Sequence, residues 1–401
     1  MVMRGLIWKP PGGSGRSGGT PRLRNRDRMP RGMVTIMGDE QAASSPAEVR
    51  QLAAHFLPAA EAATLTMRKP PAAGFSGAAV WLLSAADGSP RYVLKQLPAS
   101  LSPDHLGWTH LLARHCARAG VSTPLPLQAR NQHPAPAGHV ATDSQGRLWQ
   151  CLTYLPGRPV ARPTATEVLA AVATLAAVHR AARKVSQPPP RTRPSGWQTR
   201  VRQLAALAVA GFPQPPAQDS GWADERAAWR ELASVSQQAN ECFVAAGGPQ
   251  LAARWAAARF PRPFQPVLRD CWWAHLLFES APGGRRVSGI IDLDAAGIDT
   301  PAVDLARLLG SWQLEAGAPE AGLVERWPEA CDCYVRSCRP AGNFLADMQL
   351  LHDTAVVCGL DRWLHWLFRE RRNFPDFSRV TIRIQALLRA LPAALARLRR
   401  A

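Results

Sequence analysis

The chain of 401 residues is 46% apolar, with 48 basic groups against 30 acidic ones and a formal net charge of +18. That apolar share is enough for more than one packed unit and excludes a chain that stays unfolded for want of core-forming residues. The charge excess sits at the ends, +7 within residues 1–36 and +7 within 361–401, so the middle is close to balanced and basicity is no argument for specific nucleic-acid binding.

Residues 1–45 are rich in Gly, Pro and Arg, lack periodicity and end in Ser44-Ser45-Pro46. Such a segment buries too little surface to offset its ordering entropy and is expected to be a disordered basic tail, with Met33 or Met37 as alternative starts. It has no apolar stretch of about 7–15 residues, so it does not read as a secretory signal. No apolar run further on approaches the ~20 residues of a membrane span. The eight cysteines lie in apolar or helical contexts without paired spacing, which suits a reducing compartment, and the expected location is the cytoplasm. Cys331-x-Cys333-x4-Cys338 lacks a nearby His to complete a four-ligand zinc set.

A helix is predicted over 47–63, capped by Ser45 with Glu48 three residues on. The period then changes to two. Gly74-Phe-Ser-Gly77 leads into a strand over 79–83, Asp87-Gly88 turns, and 91–96 returns as a second strand. A helix over 103–119 ends at Gly120, and a second hairpin pairs 139–142 with 147–154. Leu155-Pro-Gly-Arg-Pro159 breaks the pattern and marks the joint between a small sheet-rich lobe, 46–154, and a larger helical lobe, 155–401. There the apolar spacing predicts helices over 165–182, 198–210, 221–246, 302–315, 320–338, 344–370 and 378–399. One β interruption stands among them: 275–278, a turn at Pro282-Gly-Gly284, and 286–292.

Phosphoryl transfer needs a Gly-rich turn close to phosphates, a Lys to hold them, metal-binding groups and a carboxylate beside the attacking hydroxyl. Each has a candidate here, in the required chain order. Gly74, Ser76 and Gly77 form a turn where bare backbone can approach phosphate oxygens, or a plain strand-opening turn. Lys95, one of only four lysines, sits mid-strand on the face of Val93 and is the phosphate-holding candidate, the alternative being an ordinary edge-strand Lys. Asp270, on the irregular loop 267–275, can accept the proton of a substrate hydroxyl. His275 opens the following strand with a ring nitrogen available to a metal or a phosphate. Asp292 ends the hairpin opposite His275 and is the Mg²⁺ candidate, with Asp294 as a weaker second. Asp304 caps its helix or holds the catalytic loop, and a structural role is favoured. The Trp-rich segment 363–368 has the helical spacing of core.

Val93-Leu-Lys95, Tyr154-Leu-Pro-Gly-Arg158, Leu175-Ala-Ala-Val-His179-Arg, Leu268-Arg-Asp270 to Phe278, and Gly289-Ile-Ile-Asp292 to Ala306 together resemble the aminoglycoside phosphotransferase and choline kinase-like family. They follow the family's order over about residues 47–312, and the stretch from Ile290 to Ala306 is the most specific. The resemblance implies an α+β protein-kinase-like fold with a small antiparallel β N-lobe and a large, mainly helical C-lobe. It further implies ATP between the lobes, Lys95 on its phosphates, Asp270 as base and Asp292 on Mg²⁺. The chain departs from the pattern in three places. Leu268-Arg269-Asp270 replaces His-Gly-Asp, His275 stands where the family has a metal-binding Asn, and the Glu that pairs with the Lys falls on or near His110, with Asp104 the only acid in the region.

The expected activity is ATP-dependent phosphoryl transfer to a hydroxyl of a small molecule. The departures leave a second reading, a catalytically impaired pseudokinase that binds nucleotide. Arg362, Arg369, Arg371, Arg372, Arg379 and Arg383 outnumber Asp361, Glu370 and Asp376 on the acceptor-side helices. A polycationic aminoglycoside would be repelled there, so a neutral or anionic acceptor is expected unless these arginines are simply a solvated helix face. No membrane or specific nucleic-acid partner is expected.

Overall fold

The computed structural model describes residues 45–70, 78–99, 101–130, 138–187, 189, 194–215, 226–257, 264–315, 326–340, 342–372, 374 and 376–400. The chain divides into Met1–Ala43, which lies outside those residues, and Ser44–Ala401, which carries all the described elements. The expected basic tail and the turn residues Gly74, Ser76 and Gly77 also lie outside the described residues.

Ser45 opens α1 (Pro46–Ala54) with a reciprocal cap: Glu48 N–H donates to Ser45 Oγ at 3.2 Å and Ser45 N–H to Glu48 Oε2 at 2.7 Å. The single helix expected over 47–63 is instead two, because Pro58 has no N–H to give and begins α2 (Ala59–Thr64) in extended geometry. Strands β1 (Thr66–Arg68), β2 (Val80–Ser84) and β3 (Pro90–Gln96) follow, then α3 (Pro103–Arg118), then β4 (Ala141–Thr142) and β5 (Leu148–Thr153). They build one antiparallel sheet in the order β1-β2-β3-β5-β4. Trp81, Leu83, Leu94, Trp149 and Cys151 pack with Val49, Leu52 and Phe56 of α1 and its C-terminal turn into one apolar cluster. Side chains alternate across a strand, so burying Leu94 turns Lys95 to the opposite face. Lys95 lies opposite Val80 on one side and Gln150 on the other, which makes β3 a central strand and not an edge.

Helix α3 packs in two directions, with Leu106 against Leu97, Val140 and Leu148 of the sheet region. Its Trp108, Leu112, Ala113 and Cys116 join the main core cluster of the helical region, through contact with α4 (Ala165–Ala182). At 18 residues α4 is long and apolar enough to cross a membrane by length and composition, yet Ala171, Val172, Leu175 and Ala176 are fully buried in the protein's own core. The joint before it carries Gly157 at φ +117°, and Arg158 exchanges both backbone hydrogen bonds with Phe278.

Beyond α4 come α5 (Gly196–Ala210), α6 (Arg226–Ala245), α7 (Gly248–Ala257), β6 (Gln265–Val267), a single 3₁₀ turn at Trp273–His275, β7 (Leu276–Ala281), β8 (Gly284–Ile290), β9 (Gly297–Asp299), α8 (Ala302–Glu315), α9 (Trp327–Cys338), α10 (Phe344–Phe368) and α11 (Phe377–Arg400). The two ribbons matter most for the site. β6 pairs with β9 and β7 with β8, and between them they fix both ends of the loops that carry Asp270 and Asp292. Neither β1 nor the β6/β9 ribbon nor α7 was anticipated; strands of three residues are too short to display a period.

Candidate active site

The loop from Val267 to His275 is irregular in backbone but heavily pinned. Leu268 N–H donates to Asp304 Oδ2 at 2.7 Å and Trp273 N–H to Ser311 Oγ at 3.0 Å, both acceptors coming from α8. Asp304 is completely buried, and its Oδ2 also meets His179 Nε2 of α4 at 2.9 Å. The other nitrogen of that ring lies 2.8 Å from the Tyr334 hydroxyl on α9. Of the two structural roles open to Asp304, holding the loop is the one its carboxylate performs. Arg269 adopts φ +64°, a left-handed conformation that costs a non-glycine residue energy, and its side chain is tied to the Pro194 carbonyl and to Asp299 Oδ2 at 3.3 Å.

That conformation sets Asp270 at the mouth of the site with its side chain 45% exposed. Arg307 Nε of α8 donates to Asp270 Oδ1 at 3.0 Å, leaving the other oxygen outside this contact. Five residues on, His275 Nδ1 donates to the Asp270 carbonyl oxygen at 2.9 Å. A carbonyl can only accept, so Nδ1 carries the proton and, in the neutral ring, Nε2 presents a lone pair. Nε2 stands 3.6 Å from Asp292 Oδ2.

Asp292 lies just past β8, at φ +62°, where Ile291 N–H donates to the His275 carbonyl and closes the ribbon end. Its Oδ1 accepts from Lys95 Nζ at 2.9 Å, and Asp294 Oδ2 takes the same ammonium at 2.8 Å. Burial of Lys95 works against its charge, but the two carboxylates outweigh it and hold the ammonium's pKa above the ordinary lysine value. For Asp292 burial likewise pushes its pKa up, and Lys95 followed by His275 brings it below the usual carboxylate range. Lys95, Asp292, His275 and Asp270 thus form one continuous run of contacts, although 175 positions separate Lys95 from Asp270 in the chain.

Asp292 and Asp294 hold Lys95 at equal range, 2.9 and 2.8 Å. His110 is bonded to Gln150 Oε1 at 3.0 Å, and Gln150 stands directly opposite Lys95, so the imidazole lies on the Lys95 face where the family has its Glu; burial pushes its pKa down to about 4. The carboxylates that neutralise Lys95 come from after the ribbon and not from the helix. Arg307 was the residue missed; it lies one helical turn past Asp304, and that spacing was its only signal.

A divalent cation fits this donor set through Asp292 and Asp294, which bring two hard oxygen-bearing groups and two negative charges to a single ammonium. Neutral imidazole is a poor ligand for Mg²⁺, so His275 suits a place beside such an ion better than one on it. Among the described residues no group of three or more His, Cys, Asp or Glu side chains forms a closed cage; the remaining ligands would have to be phosphate oxygens and water.

A small antiparallel sheet with a helix across it, joined to a helical body whose ribbon loops carry the carboxylates, is the architecture of the protein-kinase-like fold. Residues 68–336 match the model of the phosphotransferase enzyme family (APH), and the chain belongs to that family. Among curated proteins it is 25% identical over 252 residues to a homoserine kinase of Ralstonia nicotianae, a match covering 62% of this chain and 66% of that one, just under two thirds of the relative. Among solved structures it is similar to an amicoumacin kinase in complex with AMP-PNP and Ca²⁺, at TM-score 0.56 and 17% identity over 88% of this chain and 95% of the other. It is also similar to a Plasmodium vivax ethanolamine kinase, at TM-score 0.54 and 10% identity over 87% and 90%.

Proposed function

We propose that the protein is an ATP-dependent phosphotransferase that transfers the γ-phosphoryl group to a hydroxyl of a small neutral or anionic molecule. The observation that carries this reading is the run Lys95–Asp292–His275, which ends on the main-chain carbonyl of Asp270 and so sets a phosphate-holding cation and metal-ready carboxylates beside the loop residue whose carboxylate is exposed. In this reading Lys95 exchanges Asp292 and Asp294 for nucleotide phosphate oxygens. The two carboxylates would hold Mg²⁺, and that ion would supply charge neutralisation for the transferring group. Asp270, through the oxygen that Arg307 leaves outside its contact, orients the acceptor hydroxyl and takes its proton as the new O–P bond forms and the bond to the ADP oxygen breaks. The glycine-rich turn at Gly74, Ser76 and Gly77 is proposed to cover the phosphates from the sheet side, and the cytoplasm is the proposed location.

Charge supports the limit on the acceptor. Arg307 stands on Asp270 itself, so a polycation approaching that carboxylate meets a guanidinium at contact distance. The names of the similar proteins, homoserine kinase and ethanolamine kinase, point to small hydroxyl compounds and suit the reading. The second reading, a nucleotide-binding pseudokinase, draws on the absence of a carboxylate at His110 and on His275 in place of an amide. A screen of hydroxyl compounds with labelled ATP and Mg²⁺ decides between them. Label transferred to at least one small neutral or anionic acceptor is the expected result. Tight Mg-ATP binding with no transfer to any acceptor favours the pseudokinase, and rapid labelling of kanamycin-like polycations overturns the limit on charge.

A further inference from the structure

The arginines of the two C-terminal helices are not one solvated face. Arg362, Arg369, Arg371 and Arg372 are exposed, whereas Arg383 on α11 is only 6% exposed. Its Nε and Nη1 are buried with no hydrogen-bond partner among the described residues. What the guanidinium does have is an aromatic platform. It lies 4.8 Å from the Trp272 ring centre, and Arg307 lies 4.9 Å from the same ring while donating to Asp270. Two guanidinium groups therefore share one indole, two positions beyond the carboxylate proposed to face the acceptor. Burial, and after it the neighbouring Arg307 charge, pulls the Arg383 pKa down to about 10; Glu315 at the end of α8 is the acid that acts against this.

A buried guanidinium with two donors unmatched is an unfavourable arrangement when left alone, and proteins tolerate such arrangements at functional sites. The missing element is an acceptor set of opposite charge. A carboxylate supplies it: two coplanar oxygens match the planar donor fork of arginine. A neutral oxygen could accept from one donor but would leave the charge uncompensated, and a cationic group would add a third positive charge.

We propose that the acceptor carries a carboxylate as well as its reactive hydroxyl, and that Arg383 with Arg307 over Trp272 forms the subsite that receives it beside Asp270. The proposal rests on the phosphotransferase reading for the hydroxyl end. It makes Arg383 a specificity-determining residue: the carboxylate is anchored on α11 while the hydroxyl is left to Asp270.

The test is equilibrium binding to the full chain in Mg-AMP-PNP, by titration calorimetry. The probes are glycolate, 3-hydroxypropionate, 4-hydroxybutyrate and L-homoserine, each measured against its own amide. At least one acid is expected to bind tenfold or more tightly than its amide. In Arg383→Met that ratio falls below threefold, and Arg383→Lys, which keeps the charge but loses the fork, lies between. The melting temperature of Arg383→Met is expected to be unchanged or higher, because a buried charge without acceptors has been removed. Absence of acid preference in every pair overturns the proposal, as does a preference that survives in Arg383→Met. So does an Arg383→Met chain that fails to fold, since that assigns the arginine to the core. Acid preference without phosphoryl transfer leaves the subsite standing and removes the phosphotransferase reading; transfer to neutral acceptors without acid preference does the reverse.

Discussion

Replacing Asp304 by Ala is the most informative perturbation away from the reactive groups. Its carboxylate is fully enclosed and serves two donors, Leu268 N–H at 2.7 Å and His179 Nε2 at 2.9 Å. Neither donor has water to turn to, and each buried donor left unmatched costs ~1–3 kcal/mol. The two together give a destabilisation of about 4 kcal/mol, a large share of the 5–15 kcal/mol that holds a folded domain. Both donors meet the same oxygen, Oδ2, so Asp304→Asn with its amide oxygen there keeps an acceptor for each and gives up only the charge, and well under half of that loss is expected. Urea unfolding measures it as a drop in midpoint at constant slope. Activity reports on the same contact: Leu268 lies two residues before Asp270, so the Asn variant should lose kcat while its nucleotide affinity holds. An Asp304→Ala chain within about 0.5 kcal/mol of the native one, the range of an ordinary surface substitution, would show that the loop is held by something else.

Asp270→Asn keeps the loop's backbone contacts but cannot take a proton, so kcat should fall by about 100- to 10,000-fold with nucleotide affinity within a few-fold; an unchanged kcat excludes Asp270 as base. Lys95→Met leaves Asp292 and Asp294 facing each other without their ammonium, a loss on the order of 3–5 kcal/mol by urea unfolding, together with a marked fall in Mg-ATP affinity by calorimetry. His110, with a folded pKa near 4 against 6.5 for the free side chain, takes up its proton more readily in the unfolded chain. Its contribution is therefore complete above about pH 6.5 and is lost as the pH falls towards 4; His110→Gln should flatten that part of the stability profile, and parallel profiles would contradict it. Gly157→Ala places a methyl group at φ +117° against the Ser288 hydroxyl and the Phe278 carbonyl, and should lower stability by about 2–4 kcal/mol in the same unfolding assay.

The chemistry was more legible in the sequence than the geometry around it. Lys95 could be placed because a lone lysine in an alternating strand, in a chain that otherwise uses arginine, marks both its face and its singularity. His275 and Asp292 could be paired because a hairpin brings its two ends together by construction, and the register Leu276 to Ile290 does so. A helix with strong period and a reciprocal Thr164–Glu167 cap, Ala165–Ala182, was readable to the residue. Pro58 defeated the first helix because the apolar spacing continues straight across it. The direct ion pair of Lys95 with Asp292 was not legible: it joins β3 to the segment after β8 across 197 positions, and nothing local records it. Arg383 was read as one of a charged series, since burial of a single arginine depends on which helix packs over it and not on its neighbours in the chain.

One measurement bears most directly on the claim that Lys95, Asp292 and Asp270 serve a single transfer step. In a single-turnover experiment, enzyme in excess over γ-labelled ATP and Mg²⁺ is mixed with an acceptor that the screen has identified, and labelled acceptor is followed with time. Native protein should move the label to the acceptor in one exponential phase, and Asp270→Asn should hold the label on bound ATP. Label that never leaves ATP in the native protein, or that leaves equally fast in Asp270→Asn, would contradict the account.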